Sequence, residues 1–566
     1  MDTFIRIDMT NLNIAVEKAP DAYELLGGRA LTSRLVLDET APECNPLGRR
    51  NRLVIAPGLL GGTGVPSSGR LSIGAKSPLT GGIKESNGGG TAAGKLARLG
   101  IKAIIVQGRP NNRAPYVVFV SRHRHELVAC PELRLVGVYE SAKRLQERFG
   151  SKVGIILIGP AGERFMTAAG VTNLDVDGVP SRYCARGGLG AVMGSQGLKA
   201  IVVDDSECGL RQPQRKPEFV AAVKELAQLI RTTPQTAEIY PKYGTSAMVR
   251  AANALGCLPT RNFASGRFDA ADEISGERLH DLIVSRGGLT THACMPGCLI
   301  RCSNVVLDRE GGHLVSPLEY ETIGLVGSNC QISSLDVIAE INRLCNDYGV
   351  DTLETGGAIG IAMQAGLLAF GDGEAAIRLV KEIGQASPIG KVIGQGAVLT
   401  ARVLGVTEVP AVKGQMMPAY EPRGIKGMGV TYATSPMGAD HTAGGTIRAN
   451  VDHHDREGQI EASRNAQLSM GIYDALGLCM FVGSAVGRRV DLLASLVNSL
   501  YGIDWSVDGL TEYSRAILNA ERAFNRRAGL TSAHDRLPEH FCEVQNPATQ
   551  TVFDITDEEL DWVVGN

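Results

Sequence analysis

The sequence Cys294-Met-Pro-Gly-Cys298-Leu-Ile-Arg-Cys302 places three thiols within nine residues. Cysteine makes up only 12 of the 566 residues, so this density is far above the average of the chain. The interval of four sets the sulfurs about one helical turn apart, or around one tight loop, where they can converge on an inorganic centre. A fourth cysteine closes a second distinctive stretch, Asp474-Ala-Leu-Gly-Leu-Cys479. The alternative is a packing role, because free cysteine behaves as a small hydrophobe.

The bulk composition narrows the class of protein. A chain of 566 residues predicts about three domains. The net charge of −3 and the lack of basic runs argue against nucleic acid as a partner. No segment has 18 consecutive apolar residues, so we expect no membrane span, and the N-terminus lacks an apolar signal core, which predicts a cytoplasmic protein. In a reducing compartment, the cysteine cluster is more typical of metal binding than of disulfides.

Hydrophobic patterning divides the chain into a sheet-rich part and a helical part. Alternation at 4–8 and 13–17 predicts a β-hairpin. Apolar runs rich in β-branched residues predict further strands at 53–56, 103–107, 116–120, 153–158 and 200–203, with short helices at 92–99 and 139–148. Helical spacing follows at 217–232, 244–256, 335–348, 374–386, 489–501 and 510–527, with Asp336 and Thr511 as possible caps. We predict an α+β protein with a sheet-rich domain at 1–206 and mainly helical domains at 213–400 and 401–566, separated first by the proline-containing stretch 212–217.

Two glycine-rich stretches lie in the sheet-rich part. Gly88-Gly-Gly-Thr-Ala-Ala-Gly94-Lys95 superficially matches nucleotide-binding motifs. However, Leu96 lacks the hydroxyl that a Walker loop needs, and 83–87 makes a poor β-strand to precede a dinucleotide fingerprint. The second stretch, from Arg182 to Ser195, combines arginines with glycines in the same way. Together the two loops indicate a phosphate-bearing ligand held by main-chain amides and guanidinium groups, although tight turns remain the alternative.

These features together resemble the aldehyde ferredoxin oxidoreductase family over almost the whole chain. The motifs that carry the resemblance, in chain order, are Leu26-Gly-Gly-Arg29, Ser68-Gly-Arg70, Lys76-Ser-Pro-Leu-Thr80, Asn87-Gly-Gly, Arg186-Gly-Gly-Leu-Gly-Ala-Val-Met-Gly-Ser195, the cysteine cluster, Glu319-Tyr-Glu321-Thr, Asp351-Thr, Ala433-Thr-Ser-Pro-Met-Gly-Ala-Asp440-His441, Asp474-Ala-Leu-Gly-Leu-Cys479 and Glu521-Arg-Ala-Phe-Asn525. Each motif is weak alone, but their order is specific. The resemblance implies tungsten or molybdenum on two pyranopterins beside a [4Fe–4S] cluster, enclosed between the sheet-rich domain and the two helical domains.

The resemblance also implies which residues bind the pterins. Arg70 corresponds to an arginine at the pterin phosphates, and the carbonyls of Asn87 and Cys184 correspond to ligands of a bridging Mg²⁺ ion. Asp351 and Asp474 correspond to aspartates that accept hydrogen bonds from the pterin ring edges. The full set of implied cofactor-binding residues is Arg70, Asn87, Gly88, Gly89, Cys184, Ala185, Arg186, Gly187, Asp351, Asp474 and Leu478.

The implied catalytic residues are His441 and a glutamate, with Glu321 preferred over Glu319. The implied cluster ligands are Cys294, Cys298, Cys302 and Cys479. Here the sequence departs from the family motif C-x2-C-x3-C, because Thr291 occupies the place of the first cysteine. Threonine is a poor iron–sulfur ligand, so we expect Cys302 to replace it, with His292 as a less suitable substitute. Some members bind a lone iron between subunits through an E-x-x-H pattern; we do not predict that site here, because histidine is scarce, at ten residues.

The function that the resemblance implies is oxidation of an aldehyde to a carboxylic acid, with electrons leaving through the cluster to ferredoxin or an iron–sulfur partner subunit. A homodimer is typical of the family. The alternative is a tungsten-dependent reductase subunit that acts on an aromatic thioester or another low-potential substrate. A non-catalytic relay subunit is a third possibility, and it is disfavoured because Glu321 and His441 are both present.

Overall fold

The computed structural model describes residues 2–112, 114–487 and 489–565. The first 206 residues form strands joined by short helices. The strands are β1 (Thr3–Asp8), β2 (Asn13–Lys18), β3 (Leu53–Pro57), β4 (Leu71–Lys76), β5 (Ile83–Gly88), β6 (Ile101–Gln107), β7 (Tyr116–Val120), β8 (His125–Ala129), β9 (Gly154–Leu157), β10 (Val171–Leu174), β11 (Pro180–Cys184) and β12 (Leu198–Val203). The helices are α1 (Gly28–Glu39), α2 (Ala92–Arg98), α3 (Val138–Phe149), α4 (Pro160–Glu163) and α5 (Leu189–Ser195).

These strands build two six-stranded sheets. The first sheet has the order β2-β1-β6-β3-β4-β5, and the second has the order β11-β10-β9-β12-β7-β8. One face of each sheet contributes to a shared aliphatic core, in which Ile55 and Ile104 from the first sheet pack with Ile156 and Ile201 from the second. This mutual burial stabilises the two sheets as one body. The predicted hairpin and the other predicted strands of this region are present.

Strand β5 contradicts the sequence prediction, which treated 83–87 as a poor strand. The segment pairs antiparallel with β4 in continuous register, from Lys76 opposite Ile83 to Leu71 opposite Gly88. Its polar residues are buried or half-buried, and they have partners elsewhere in the fold: Lys84 binds Asp440, and Asn87 binds Arg70. A strand whose side chains serve a site lacks the alternation on which sequence patterns rely.

The rest of the chain is mainly helical. Its helices are α6 (Lys216–Thr232), α7 (Tyr240–Tyr243), α8 (Met248–Leu255), α9 (Gly276–Ser285), α10 (Tyr320–Thr322), α11 (Leu335–Tyr348), α12 (Thr352–Gln364), α13 (Gly373–Gln385), α14 (Pro388–Ile393), α15 (Ala397–Leu404), α16 (Lys426–Thr434), α17 (Gln459–Leu476), α18 (Val482–Val486), α19 (Val490–Tyr501), α20 (Val507–Arg527), α21 (His540–Glu543) and α22 (Asp557–Gly565). Its short strands are β13 (Leu289–His292), β14 (Ser303–Leu307), β15 (His313–Val315), β16 (Ala411–Val412) and β17 (Gln415–Met416).

The predicted α+β class, with a sheet-rich part followed by helices, is confirmed. Two predicted helix caps are wrong. Helix α11 is capped by Ser334 rather than Asp336, and α20 is capped by Ser506 rather than Thr511. The exact domain limits at 206, 213 and 400 stay predictions. In the described parts of the chain, no helix is long and apolar enough to cross a membrane.

Candidate functional site

A cavity of about 700 Å³ lies where the first sheet meets the helical region. Ten of the predicted site residues line it: Arg70, Asn87, Ala185, Arg186, Glu319, Glu321, Asp351, His441, Asp474 and Cys479. The other predicted site residues do not line this cavity: Gly88, Gly89, Cys184, Gly187, Leu478, Cys294, Cys298 and Cys302. Residues that are more than 400 positions apart in the sequence therefore share one wall.

In the wall opposite the sheet, backbone segments pack closely on one another at glycine residues. Gly28 has φ +48°, and a Cβ added there would lie 2.1 Å from the carbonyl oxygen of Asp474. A Cβ on Gly58 would lie 2.2 Å from Cα of Gly477. Only glycine permits these contacts, so the start of α1 and the loop after β3 pack directly on the end of α17. This packing holds Asp474, and the Cys479 that follows, against the sheet.

The carboxylate of Asp474 is held by donors from the N-terminal part of the chain. Arg29 Nη1 lies 3.3 Å from one carboxylate oxygen, and Asn87 Nδ2 donates to the other at 3.0 Å. Arg70 Nη2 in turn donates to the main-chain carbonyl of Asn87 at 2.9 Å. Arg29 is itself fixed by a two-fold ion pair with the buried Glu521, with both nitrogen–oxygen distances at 2.8 Å. Bidentate geometry of this kind fixes orientation as well as charge.

Burial perturbs the acids on this side of the cavity. It raises the pKa of Asp474, although Arg29 and Arg70 oppose the rise. Burial and the nearby Asp474 carboxyl raise the pKa of Glu85 to about 8. Atom Oε1 of Glu85 is also buried without a hydrogen-bond partner. An unsatisfied, buried carboxyl oxygen facing a cavity is costly, and a ligand with N–H donors would satisfy it.

Arg186 and Asp351 are bound to each other on a second wall. Arg186 Nε lies 3.2 Å from Asp351, while its other nitrogens donate to the carbonyls of Ala439 at 2.7 Å and Met416 at 2.6 Å. The second carboxylate oxygen of Asp351 caps α12 by accepting from Leu353 N at 3.0 Å. All three nitrogens of the Arg186 guanidinium therefore bind protein groups. The residue contributes a fixed positive charge to the cavity and does not offer a free pair of donors to a ligand.

Glu321 and His441 are neighbours in the wall of the cavity. His441 Nε2 lies 3.6 Å from Glu321 Oε1, and Glu321 Oε2 accepts from the main-chain nitrogen of Ala419 at 2.7 Å. Glu321 Oε1 and His441 Nδ1 are buried without hydrogen-bond partners. Asp440 precedes the histidine and is paired with Lys84 at 2.7 Å, which together with Arg186 lowers the pKa of Asp440 despite its burial. Burial raises the pKa of Glu321, and the neighbouring His441 opposes that rise.

Glu319 has a different environment. Its carboxylate accepts a hydrogen bond from Thr245 Oγ1. Burial raises the pKa values of Cys302 and Cys479, and the charge of Glu319 adds to both rises. Between the two glutamates, the Tyr320 hydroxyl donates to the carbonyl of Ala419 at 2.5 Å. Glu319 therefore lies toward the cysteines, whereas Glu321 lies toward His441. This geometry favours Glu321 as the partner of the histidine.

The three clustered cysteines lie in the loop from β13 to β14. Cys294, Cys298 and Cys479 are buried, Cys302 is half-buried, and none forms a disulfide. A hydrogen bond from the Cys294 thiol lowers the pKa of Cys298 to about 6, and the Cys298 and Cys302 thiols are near enough to raise the pKa of Cys294. The charge of Cys298 likewise raises the pKa of Cys479, whose pKa reaches about 11 mainly through burial. The four predicted ligands are therefore neighbours in space.

Within the described ranges, no three His, Cys, Asp or Glu side chains converge on a single metal ion. A four-iron cluster makes a different demand, because each thiolate binds its own iron and the sulfurs stay apart. Gly89 lies directly on this group, since a Cβ there would be 3.0 Å from Cys294 Sγ. A side chain at position 89 would therefore press on the Cys294 sulfur.

Thr291 and His292 are bound away from the cysteines. The Thr291 hydroxyl is exposed and donates to the carbonyl of Pro241 at 2.8 Å. His292 Nε2 lies 2.7 Å from the carboxylate of Asp177. Cys302 lies beside His292 through a bridge between their backbones. Of the three alternatives, Cys302 is the one whose side chain interacts with the other thiols.

The nucleotide interpretation of the first glycine loop finds no support. Lys95 belongs to α2 and binds Asp205 at 2.6 Å rather than pointing into a phosphate loop. Several cavity residues were not predicted as functional: Arg29, Glu85, Tyr240, Thr245, Tyr420 and Arg448. Arg29 lies in one of the quoted family motifs, but no local pattern gave it a role. The others are brought to the site only by tertiary packing.

The fold and this site together define an oxidoreductase. Two family models match the chain: the N-terminal domain of aldehyde ferredoxin oxidoreductase at residues 4–205, and domains 2 and 3 of the same enzyme at residues 221–563. The chain belongs to the aldehyde ferredoxin oxidoreductase family. The predicted resemblance is confirmed.

Named relatives extend the comparison. The chain is 33% identical to the tungsten-containing aldehyde ferredoxin oxidoreductases of Thermococcus kodakarensis and Pyrococcus furiosus, over 96% of this chain and 92% of each relative. It is 25% identical to the WOR-like subunit of an aliphatic sulfonate oxidoreductase from Pyrococcus furiosus, over 84% of this chain and 78% of that subunit. Among solved structures, the active-site complex BamBC of benzoyl coenzyme A reductase matches with a TM-score of 0.82 at 18% identity, covering 99% of this chain and 92% of that chain.

Proposed function

We propose that the protein oxidises an aldehyde to a carboxylic acid at a tungsten bis-pyranopterin centre in the 700 Å³ cavity, and that electrons leave through a [4Fe–4S] cluster. The observation that carries the proposal is the facing pair Glu321 and His441, each with a buried unpartnered atom, in a cavity that Cys479 also lines. Relatives with 33% identity over nearly the whole chain are tungsten-containing aldehyde ferredoxin oxidoreductases.

The residues present fit the proposed groups. Buried carboxyls at Asp474 and Glu85 offer acceptors to the amino-pyrimidine edge of a pterin, and Glu85 Oε1 is unpartnered. Arg70 donates to the Asn87 carbonyl and leaves its remaining guanidinium nitrogen for a phosphate, while a Mg²⁺ ion would require the Asn87 and Cys184 carbonyls. A Cβ on Gly88 would lie 2.9 Å from the carbonyl of Tyr183, so the two glycine loops lie side by side as such a bridge requires.

The proposed cluster ligands are Cys294, Cys298, Cys302 and Cys479. A thiolate is the ligand form of cysteine, so the low pKa of Cys298, about 6, marks a sulfur ready for a metal at neutral pH. The tungsten centre would supply the two-electron oxidation, and the cluster would supply the outlet for single electrons to ferredoxin or a partner subunit. A homodimer is proposed from the family alone.

The acid–base work belongs to Glu321 and His441. Glu321 Oε1 accepts a proton from the water that adds to the aldehyde carbon, and Ala419 N holds the other oxygen of the carboxylate in place. His441 donates a hydrogen bond to the carbonyl oxygen as negative charge develops there. The overall change converts an aldehyde and water into a carboxylic acid, two protons and two electrons. The raised pKa of Glu321 makes it a stronger base than an exposed glutamate.

A dye-linked assay tests the proposal. Purified protein that contains tungsten and about four irons per chain should reduce benzyl viologen when an aldehyde is added, and a carboxylic acid should accumulate at one molecule per two dye molecules. Elemental analysis for W, Mo and Fe establishes the loading first. Fully loaded protein that reduces no dye with aliphatic or aromatic aldehydes would contradict the proposed reaction.

A second function has one specific observation in its favour. The BamBC complex of benzoyl coenzyme A reductase shares the fold over 99% of this chain. The same site could therefore serve a reductase that acts on an aromatic thioester. Loaded protein that is inert toward aldehydes but oxidises a reduced dye with an aryl thioester would favour this second function.

A further inference from the structure

A second cavity, of about 590 Å³, lies in the N-terminal part of the molecule and shares no lining residue with the first. Its wall comes from the segment before β3, the loop after β6, the turns before α3 and after α4, and the turn from α5 to β12. The volume falls in the range of small-molecule sites. None of the residues named for the proposed reaction lines it, so its purpose is a separate question.

The cavity carries an excess of positive charge. Its lining arginines are Arg49, Arg109, Arg134 and Arg164. None of them forms an ion pair with a carboxylate within the described ranges. Arg109 instead donates to the carbonyls of Ser195 at 2.7 Å and Leu47 at 2.6 Å, and Arg164 donates to the carbonyl of Gly384 at 2.6 Å. A carbonyl orients a guanidinium but does not neutralise it, and each arginine retains further N–H donors.

Among the described lining residues there is one carboxylate, Glu163, and it does not offset this charge. Glu163 Oε1 lies 2.6 Å from Nζ of the buried Lys199, which is also a lining residue. The same carboxylate accepts from the main-chain nitrogen of Leu135 at distances of 3.1 and 3.0 Å. The charges of Lys199 and Glu163 therefore cancel, and no carboxylate of a described residue pairs with the four arginines. Guanidinium groups that line one cavity and keep free N–H donors suit the binding of phosphate.

Two apolar side chains stand among the arginines. Leu135 and Phe165 are 40% and 39% exposed, and their φ angles are +57° and +60°. Non-glycine residues adopt this region at an energetic cost, which is retained where the surroundings require it. The Arg109 guanidinium lies over one face of the Phe165 ring, 5.6 Å from its centre. An exposed aromatic surface beside phosphate-binding groups matches a ligand that has both a planar ring and phosphates.

We propose that this cavity binds a nucleotide, with its phosphates on Arg134 and Arg164 and its base against Phe165 and Leu135. The contact of an arginine with a phosphate accounts for the charge, and stacking accounts for the exposed ring. A phosphate alone would leave the apolar half of the cavity without a partner. The site is separate from the loop Gly88–Lys95, whose lysine is bound to Asp205.

Calorimetric titration with ADP and, separately, with inorganic phosphate tests the proposal on the metal-loaded protein. We expect ADP to bind at least tenfold more tightly than phosphate. The informative variant is Arg134→Gln, because the Arg134 side chain forms no hydrogen bond or ion pair with a described residue and its loss should not disturb folding. This variant should weaken ADP binding about tenfold. Arg122→Gln, an exposed arginine of the same part of the molecule outside the cavity, is the matched control and should bind as the wild type.

A second variant tests the predicted stacking of the base on Phe165. Phe165→Leu keeps an apolar side chain but removes the planar ring, so it should weaken ADP binding while leaving phosphate binding unchanged. An unchanged melting temperature for each variant shows that it is folded. No binding of ADP, equal binding of ADP and phosphate, or equal loss in Arg122→Gln and Arg134→Gln would each overturn the nucleotide site.

Discussion

At the scale of single residues, Glu321 is the side chain whose environment departs most clearly from a structural role. One carboxylate oxygen is held by the Ala419 amide, while the other is buried, lacks a hydrogen-bond partner and faces His441 at 3.6 Å. We predict that Glu321→Gln lowers turnover with an aldehyde by about 100-fold or more, because a positioned base typically contributes 10²–10⁴-fold. Tungsten and iron content should stay unchanged. Wild-type turnover in the loaded variant would remove Glu321 from the mechanism.

The pH dependence of wild-type activity should also report on Glu321 as the base. Glu321 must be ionised to accept a proton, and burial raises its pKa above the ordinary value of a glutamate. Activity should therefore fall as the pH drops through this raised pKa, so the acid limb of kcat/KM should lie above pH 4.5. The residual activity of Glu321→Gln should lack that limb. A limb of the same position in both proteins would assign it to another group.

Glu85 allows a stability test on cofactor-free protein. Burial and Asp474 raise its pKa from 4.5 to about 8, so the folded state binds a proton that the unfolded state has released. The stabilisation from this proton is complete below pH 4.5 and is lost as the pH rises through 8. Glu85→Gln cannot ionise, so its melting temperature relative to wild type should rise from about pH 5 and level off above about pH 8. The exposed Glu147→Gln is the control and should show no such trend. A constant difference for Glu85→Gln would contradict the raised pKa.

At the residue level, the sequence motifs named a set of side chains whose roles in the site stay predictions. His441, Glu321, Asp474 and Cys479 were all expected at one site, and they line one cavity. Glu85 was missed because its pKa depends on Asp474, which is nearly 400 positions away in the chain. Its burial, too, is a property of the assembled molecule. A sequence pattern predicts neither the pKa of Glu85 nor its burial.

At the scale of elements, apolar periodicity located most helices and strands, and its failures share a cause. Strand β5 was rejected because Lys84, Glu85 and Asn87 break the alternation expected of a strand. Glu85 and Asn87 line the cavity, and Lys84 and Asn87 bind Asp440 and Asp474 in the helical region. The caps of α11 and α20 were displaced by a few residues, since a serine and a nearby acidic residue or threonine compete for the same role.

The loop between β13 and β14 carries a prediction about the cluster. Cys302→Ser should lower iron to well below four per chain and remove the absorption near 400 nm expected of such a centre, because serine is a much weaker iron ligand. Thr291→Ala is the control, since the Thr291 hydroxyl is bound to Pro241 instead. Iron should be unchanged in that variant. Iron retained in Cys302→Ser and lost in Thr291→Ala would reverse the assignment.

At the scale of the whole molecule, the first cavity exists because segments from both ends of the chain are joined. Arg29 at the start of α1 binds Glu521 in α20 and Asp474 at the end of α17. Ser33 Oγ adds a hydrogen bond to Glu521 at 2.8 Å. This buried cluster fixes the sheet-rich part against the last long helices. It also orients the carboxylate of Asp474, so the global assembly and the local site depend on the same contact.

Removing Glu521 from this cluster should therefore lower the free energy of unfolding substantially. Glu521 is 0% exposed, and Glu521→Gln would leave the buried charge of Arg29 with only the more distant Asp474. Breaking a buried pair from one side typically costs about 3–5 kcal/mol. We predict a loss of this size in urea unfolding. A drop in pterin and tungsten content should accompany it, because Asp474 would lose its fixed donor.

An exposed ion pair provides the matched control for the same chemical change. Asp504 pairs with Arg215 at 2.7 Å, but its side chain is 81% exposed, so water solvates both charges when the pair is broken. Asp504→Asn also replaces a carboxylate by its amide, and it should leave the unfolding midpoint and the metal content nearly unchanged. Equal shifts of the unfolding midpoint in the two variants would mean that the Arg29–Glu521 ion pair contributes no more to stability than an exposed one. If Glu521→Gln is destabilised but keeps its full tungsten content, the Arg29–Glu521 contact is needed for stability and not for placing Asp474 at the site.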